Sequence, residues 1–123
     1  MPQTKHKIFL VKKSVFGATH SHAGALNEGA HGHDFVYEVK LYGTTNDEGF
    51  LADFRKVESD MMTLVNKELA YKNLNAVLQM PPTTENVAAW IYGKMKTVYG
   101  ATLRSVTVYE TPESYIIYEG EDA

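Results

Sequence analysis

Residues 31–42 alternate without a break. His31, His33, Phe35, Tyr37, Val39 and Leu41 fall on one face, while Asp34, Glu38 and Lys40 fall on the other. A side-chain period of two marks an extended strand with one face on a core and the other toward water. A helix would scatter these residues around its circumference. The segment must therefore pair in a sheet that something covers on one side.

The rest of the chain supplies partners and a cover. Residues 7–16 are rich in Ile, Phe, Leu and Val and predict a first strand. Residues 17–30, with several Gly and Ala, are expected to form a loop, and 43–49 a polar turn around Asn46 and Asp47. Over 52–69, Phe54, Val57, Met61, Leu64, Val65 and Leu69 recur at helical spacing. Residues 71–82 are expected to be a connector. Pro82-Thr83-Thr84-Glu85 is a helix start with a cap and an early carboxylate. Val87, Ala88, Ile91, Met95 and Val98 give that second helix its apolar stripe, and Gly100 closes it. Residues 103–110 predict a third strand, Thr111-Pro112-Glu113 a turn, and 115–118 a fourth strand. The order β-β-α-α-β-β implies an α+β fold: a four-stranded antiparallel sheet with two helices inserted between strands 2 and 3, packed on one face.

The 123 residues fit a single domain spanning 1–123. A net charge of -3 gives no basic field to draw nucleic acid or an anionic membrane surface. No apolar run is long enough to span a bilayer, and residues 1–7 lack the apolar stretch of a signal peptide, so the expected location is the cytoplasm. Cysteine is absent. Disulfides, thiolate ligands and a thiol nucleophile are thereby excluded, and any metal must be held by His, Asp or Glu.

Three histidines meet that requirement. His31 and His33 lie on one strand face about 7 Å apart, and Gly32 leaves the opposite face open to a close backbone approach. His20 follows the first strand and can fold back as a third ligand. Three imidazoles with an open fourth position are the donor set of catalytic zinc. The plainer alternative is three satisfied or exposed imidazoles. Two of them share a core-like face, however, where unpartnered polar groups are costly, and this favours a metal. His6 and His22 read as exposed residues. Glu110 shares its face with Val106 and Val108. It either grips a flat ligand that offers two parallel N–H donors or is a strand-end carboxylate back in water.

These motifs resemble the 6-pyruvoyltetrahydropterin synthase and 6-carboxytetrahydropterin synthase family. Phe16-Gly17-Ala18-Thr19-His20 resembles its Phe-x-Ala-x-His, His31-Gly32-His33 its His-Gly-His, and Asp53-Phe54 its Asp-Phe. Residues 83–88 and 108–111 are similar to its second-helix and third-strand signatures. The resemblance implies a tunnelling fold in which subunits join their sheets into a barrel, as a trimer or a hexamer, with sites at subunit interfaces. It implies zinc on His20, His31 and His33. It also implies a pterin ring gripped by Glu110 near Thr83, Thr84 and Glu85, and action on 7,8-dihydroneopterin or its triphosphate.

The chain departs from the family at its acid–base groups. Asn27 stands where the family has Cys, and Ala70 and Tyr71 stand where it has an Asp-His pair. Three readings follow. In the first, Glu28 replaces the Cys base, as in family members that cleave dihydroneopterin to 6-hydroxymethyl-7,8-dihydropterin, and Tyr71 acts as an acid or orients the ligand. In the second, the triphosphate is eliminated or a 6-carboxypterin forms, with His22 as base and Lys12, Lys13 and Lys72 as a basic patch. In the third, zinc and pterin are bound without turnover.

Overall fold

The computed structural model describes residues 5–20 and 31–121. Four strands, β1 (Lys7–His20), β2 (His31–Thr44), β3 (Leu103–Thr111) and β4 (Ser114–Tyr118), form one antiparallel sheet in the order β1-β2-β3-β4. Between β2 and β3 run α1 (Phe54–Met61), a π-helical turn (Met62–Asn66), α2 (Lys67–Leu69), α3 (Leu74–Leu78) and α4 (Thr84–Tyr99). The α+β class and the inserted helices agree with the sequence pattern.

The alternating face of β2 is the core. Phe35, Tyr37, Val39 and Leu41 are buried, and the register sets Phe16 opposite Phe35 and Leu10 opposite Leu41. Val57, Met61, Val65 and Leu69 close over them, followed by Val87, Ala88, Ile91 and Met95 of α4. At roughly 1.5–3 kcal/mol for each large apolar side chain taken from water, this face supplies most of the driving force for folding. The Phe16 and Phe35 rings stack at 5.3 Å, which ties β1 to β2 near the end that carries the histidines.

Four expectations need correction. Gly17–His20 are strand rather than loop, because β2 offers backbone partners as far as His31. The connector holds a helix, α3: the Asn73 side chain accepts from the Asn75 N–H, and Leu74 and Leu78 are buried. Phe54 is 58% exposed and Val98 48% exposed, so neither belongs to its helix's buried stripe. Phe54 directly follows the Asp53 cap, whose carboxylate accepts from the Arg55 N–H, and it lies off the core side. The long helix is also not uniform. The Lys67 N–H reaches back five residues to the Met62 carbonyl, and this extra residue per turn brings both Val65 and Asn66 inward.

Asn66 uses that position. Its carbonyl accepts from the Tyr37 phenol at 2.7 Å, and its amide donates to Ser14 Oγ at 3.0 Å. Burial pushes the Tyr37 phenol pKa up, while a hydrogen bond with Ser14 opposes the shift.

Candidate functional site

The β1–β2 ladder places the three histidine positions together. His20 pairs directly with His31, Thr19 with Gly32 and Ala18 with His33. Positions 20, 31 and 33 thus fall on the face that further along carries Phe16, Phe35 and Tyr37. Backbones directly opposite are about 5 Å apart, and strand neighbours on one face about 7 Å, a spacing that suits three donors to one ion. The side chains of these histidines lie outside the described residues, as do Asn27, Glu28 and His22. Among the described residues, no group of three or more His, Asp or Glu side chains is gathered for a metal.

Glu110 follows Tyr109, which pairs with Val36 at the end of the β2–β3 ladder, three residues from His33. Continued by one residue, that register sets position 110 opposite Phe35, two residues or about 7 Å along the sheet from His33. Val106 and Val108 are buried as expected, but Glu110 is exposed, because the ladder to β4 shifts register between Tyr109 and Thr111. It is nonetheless partnered: the Thr84 hydroxyl donates to Glu110 Oε2 at 2.5 Å. The carboxylate is thus solvated at the strand end and at the same time held by one hydroxyl donor of the chain. Thr83 caps α4, its hydroxyl accepting from the Asn86 N–H at 3.1 Å, and Glu85 follows in the first turn, where a carboxylate suits the helix dipole. Capping occupies Thr83, while Thr84 orients Glu110.

Beside Glu110 an open cleft of about 550 Å³ is lined by Lys13, Asp34, Val36, Tyr109 and Thr111, on the helix-free face of the sheet and not on the face of positions 20, 31 and 33. The size suits a small heterocycle. Tyr109 donates to Glu38 Oε2 at 2.8 Å, and Lys13 lies 3.5 Å from the same oxygen and 5.0 Å over the Tyr109 ring. The Glu38 hydrogen bond, with burial and the nearby negative charge, pushes the Tyr109 phenol pKa up. Sequence reasoning missed this triad because its members lie on three different segments.

Tyr71 is held near the histidine end by its backbone. Its N–H donates to the Gly17 carbonyl at 2.6 Å, three residues before His20. Its φ of 62° is left-handed, uncommon for a bulky residue, and its side chain is 93% exposed. Ala70 packs against the core. The suggested phosphate patch is not assembled. Lys12 pairs with Glu58 at 3.1 Å on the helix side, whereas Lys13, one residue on along the strand, engages Glu38 on the opposite face. Lys72 directly follows Tyr71. His6 is exposed, as expected.

A sequence profile described as 6-pyruvoyl tetrahydropterin synthase matches residues 9–121. The chain belongs to the 6-pyruvoyl tetrahydropterin synthase family. It is 34% identical over 101 residues to a putative 6-pyruvoyl tetrahydrobiopterin synthase of Caenorhabditis elegans, covering 76% of this chain and 71% of that one. It is also 34% identical over 90 residues to the dihydroneopterin monophosphate aldolase of Pyrococcus furiosus, covering 73% and 76%. The solved Caenorhabditis elegans 6-pyruvoyl tetrahydropterin synthase superposes with a TM-score of 0.82 at 26% identity, over 94% of this chain and 97% of that one. Relatives of this chain thus carry both synthase and aldolase names, so family membership fixes the scaffold more tightly than the individual reaction.

Proposed function

We propose that this chain is a zinc-dependent pterin lyase that cleaves the side chain of 7,8-dihydroneopterin, or of its phosphate ester, to give 6-hydroxymethyl-7,8-dihydropterin. The observation that carries this reading is the meeting, at one end of the sheet, of histidine positions 20, 31 and 33 with the Thr84-held Glu110. Three imidazoles are a fitting donor set for zinc in a chain without cysteine. When bound there, zinc would supply Lewis acidity toward the substrate's side-chain oxygens.

The remaining work falls to the chain's own groups. Glu110 accepts the ring's N–H donors, and the Thr84 hydroxyl fixes the carboxylate's orientation. With no thiol present, the base is a carboxylate, and Glu28 fills that role. Glu28 takes the proton of the 2′-hydroxyl as the C1′–C2′ bond breaks. C2′ leaves as the aldehyde carbon of glycolaldehyde, or of its phosphate when the ester is the substrate, and the electron pair passes to C1′ and the conjugated ring. A proton returned to C1′, with Tyr71 as donor, completes the hydroxymethyl product. The kinship with an aldolase acting on dihydroneopterin monophosphate supports this course. The triphosphate-eliminating course is less favoured, because Lys12 and Lys13 are paired on opposite faces.

The exposure of Tyr71 and the presence of Ala70 beside it favour a second reading, zinc and pterin binding without turnover. One experiment separates the two. Zinc-loaded protein is incubated with 7,8-dihydroneopterin, its monophosphate and its triphosphate, and every pterin product is identified. Formation of 6-hydroxymethyl-7,8-dihydropterin, lost in Glu28→Gln with zinc content and pterin binding retained, is the expected result. A 6-pyruvoyl or 6-carboxy product refutes the cleavage. Binding without any product establishes the second reading.

A further inference from the structure

The face of the sheet away from the helices carries a second polar feature, remote from the histidine end. Phe9 and Tyr42 are directly opposite in the β1–β2 ladder, with ring centroids 4.6 Å apart. The Arg104 guanidinium lies 5.7 Å from the Phe9 centroid and 5.6 Å from that of Tyr42, and Lys40 Nζ lies 5.3 Å over Phe9. Lys7 precedes Phe9 by two residues and so falls on the same face. The Arg104–Glu119 pair is loose, 3.5 Å between half-exposed side chains, and such pairs hold their partners only weakly. Among the described residues, Lys7 and Lys40 have no carboxylate within ion-pair distance. Three cations therefore face one acid on a protein whose net charge is -3.

A buried hydroxyl adds an independent sign. Among the described residues, Ser105 Oγ is a buried side-chain oxygen with no hydrogen-bond partner, and Ser105 itself is 2% exposed. Leaving such a group unpaired is costly, because its hydration is lost with nothing to replace it. Ser105 adjoins Arg104 and pairs directly with Lys40 across the β2–β3 ladder, next to the bulge that separates the Lys40 and Leu41 pairings. Bulges re-aim side chains, and this one lets Arg104 lie over the β1–β2 aromatic pair.

We propose that Arg104, Lys40 and the Ser105 hydroxyl, with Lys7 at the rim, form a binding site for a free phosphate-class oxyanion. Such an anion gains charge-assisted hydrogen bonds from the guanidinium and the ammonium, relieves the repulsion between two cations sharing one ring, and gives the orphaned hydroxyl an acceptor. Ser105 Oγ is buried, so the anion reaches it only once a neighbouring side chain moves aside. The site is separate from the pterin site: along β2, Lys40 is seven residues from His33, roughly 23 Å, and four from Val36 of the cleft beside Glu110, roughly 13 Å.

Binding is read by phosphorus NMR line broadening and by calorimetric titration of the full chain with inorganic phosphate, at constant ionic strength against chloride. Saturable binding is expected, weakened at least tenfold in Arg104→Gln and in Lys40→Gln and restored in Lys40→Arg, with pterin binding unchanged in each. Ser105→Ala, which removes one oxygen and threatens the fold least, should weaken phosphate severalfold. Absence of saturable binding in the wild type, equal affinity in the Arg104 and Ser105 variants, or binding of a phosphorylated pterin but not of inorganic phosphate each overturns the proposal.

Discussion

Single residues decide how the candidate site would hold a ligand. Glu110 is oriented by one hydroxyl, that of Thr84. Thr84→Ala should leave the fold intact and weaken pterin binding about tenfold, since a lost hydrogen bond to a charged acceptor is worth about 1.5–3 kcal/mol. Glu110→Gln should weaken it further, because the amide offers one accepting oxygen and a competing NH2 donor where the carboxylate offers two acceptors; fluorescence titration of a pterin checks both. In the core, Asn66→Leu strips the Tyr37 phenol of its acceptor and should cost about 1–3 kcal/mol in urea unfolding. Adding Tyr37→Phe should recover part of that loss, because removing both partners of a buried hydrogen bond costs less than removing one. Glu110 was legible as a singled-out carboxylate because it shares the parity of Val106 and Val108. Its partner was not legible, because Thr84 lies on another element, 26 residues away.

At the scale of elements, the π turn and the short α3 helix shape the sheet's cover. The π turn places Asn66 under β1 and lets Met61, Val65 and Leu69 continue the buried stripe. Leu74→Ala in α3 should cost about 2–5 kcal/mol by opening a cavity against the core. Tyr71, on the link to α3, is held in the left-handed region. Tyr71→Gly should be neutral or stabilising by up to about 1 kcal/mol, since glycine adopts that conformation without strain. Tyr71→Phe tests the phenol apart from the backbone and should slow turnover while leaving stability unchanged. Between α1 and α4, Asp60 accepts from Tyr99 and pairs with Lys56 at 2.6 Å. Burial works to raise the Asp60 pKa, but the hydrogen bonds from Lys56 and Tyr99 outweigh it, and the result lies below the ordinary 3.8. The Asp60 contribution is therefore whole above that value and is lost as pH falls through the lower folded one. Asp60→Asn should flatten the acid limb of the stability curve below pH about 4. Tyr99 is raised, by burial first and then by Asp60, so its contribution is whole below its ordinary value of 10.0 and fades above it.

At the scale of the whole molecule, the sheet is covered on one side only. Its outer strands β1 and β4 end the order, and Phe9, Val11, Val15, Tyr115 and Ile117 stay exposed on the helix-free face. Open edges and apolar side chains of this kind favour association with further copies. Sedimentation should give a multiple of 13.8 kDa, and Val15→Asp with Ile117→Lys should shift the mass toward one chain. Removing zinc should lower the melting temperature if the metal also pins the segment between β1 and β2.

By itself the sequence determined the succession of strands and helices along the chain, the core face of β2, the cap and close of α4, and the residue types able to bind a metal. All of these follow from periodicity and local chemistry, which a window of a dozen residues contains. Only the tertiary structure decided that β1 runs on to His20, that Thr84 holds Glu110, that Lys12 and Lys13 serve opposite faces, and that Arg104 lies over Phe9 and Tyr42. Each of those depends on residues brought together by cross-strand register and helix packing, and no local pattern encodes where a distant partner will arrive.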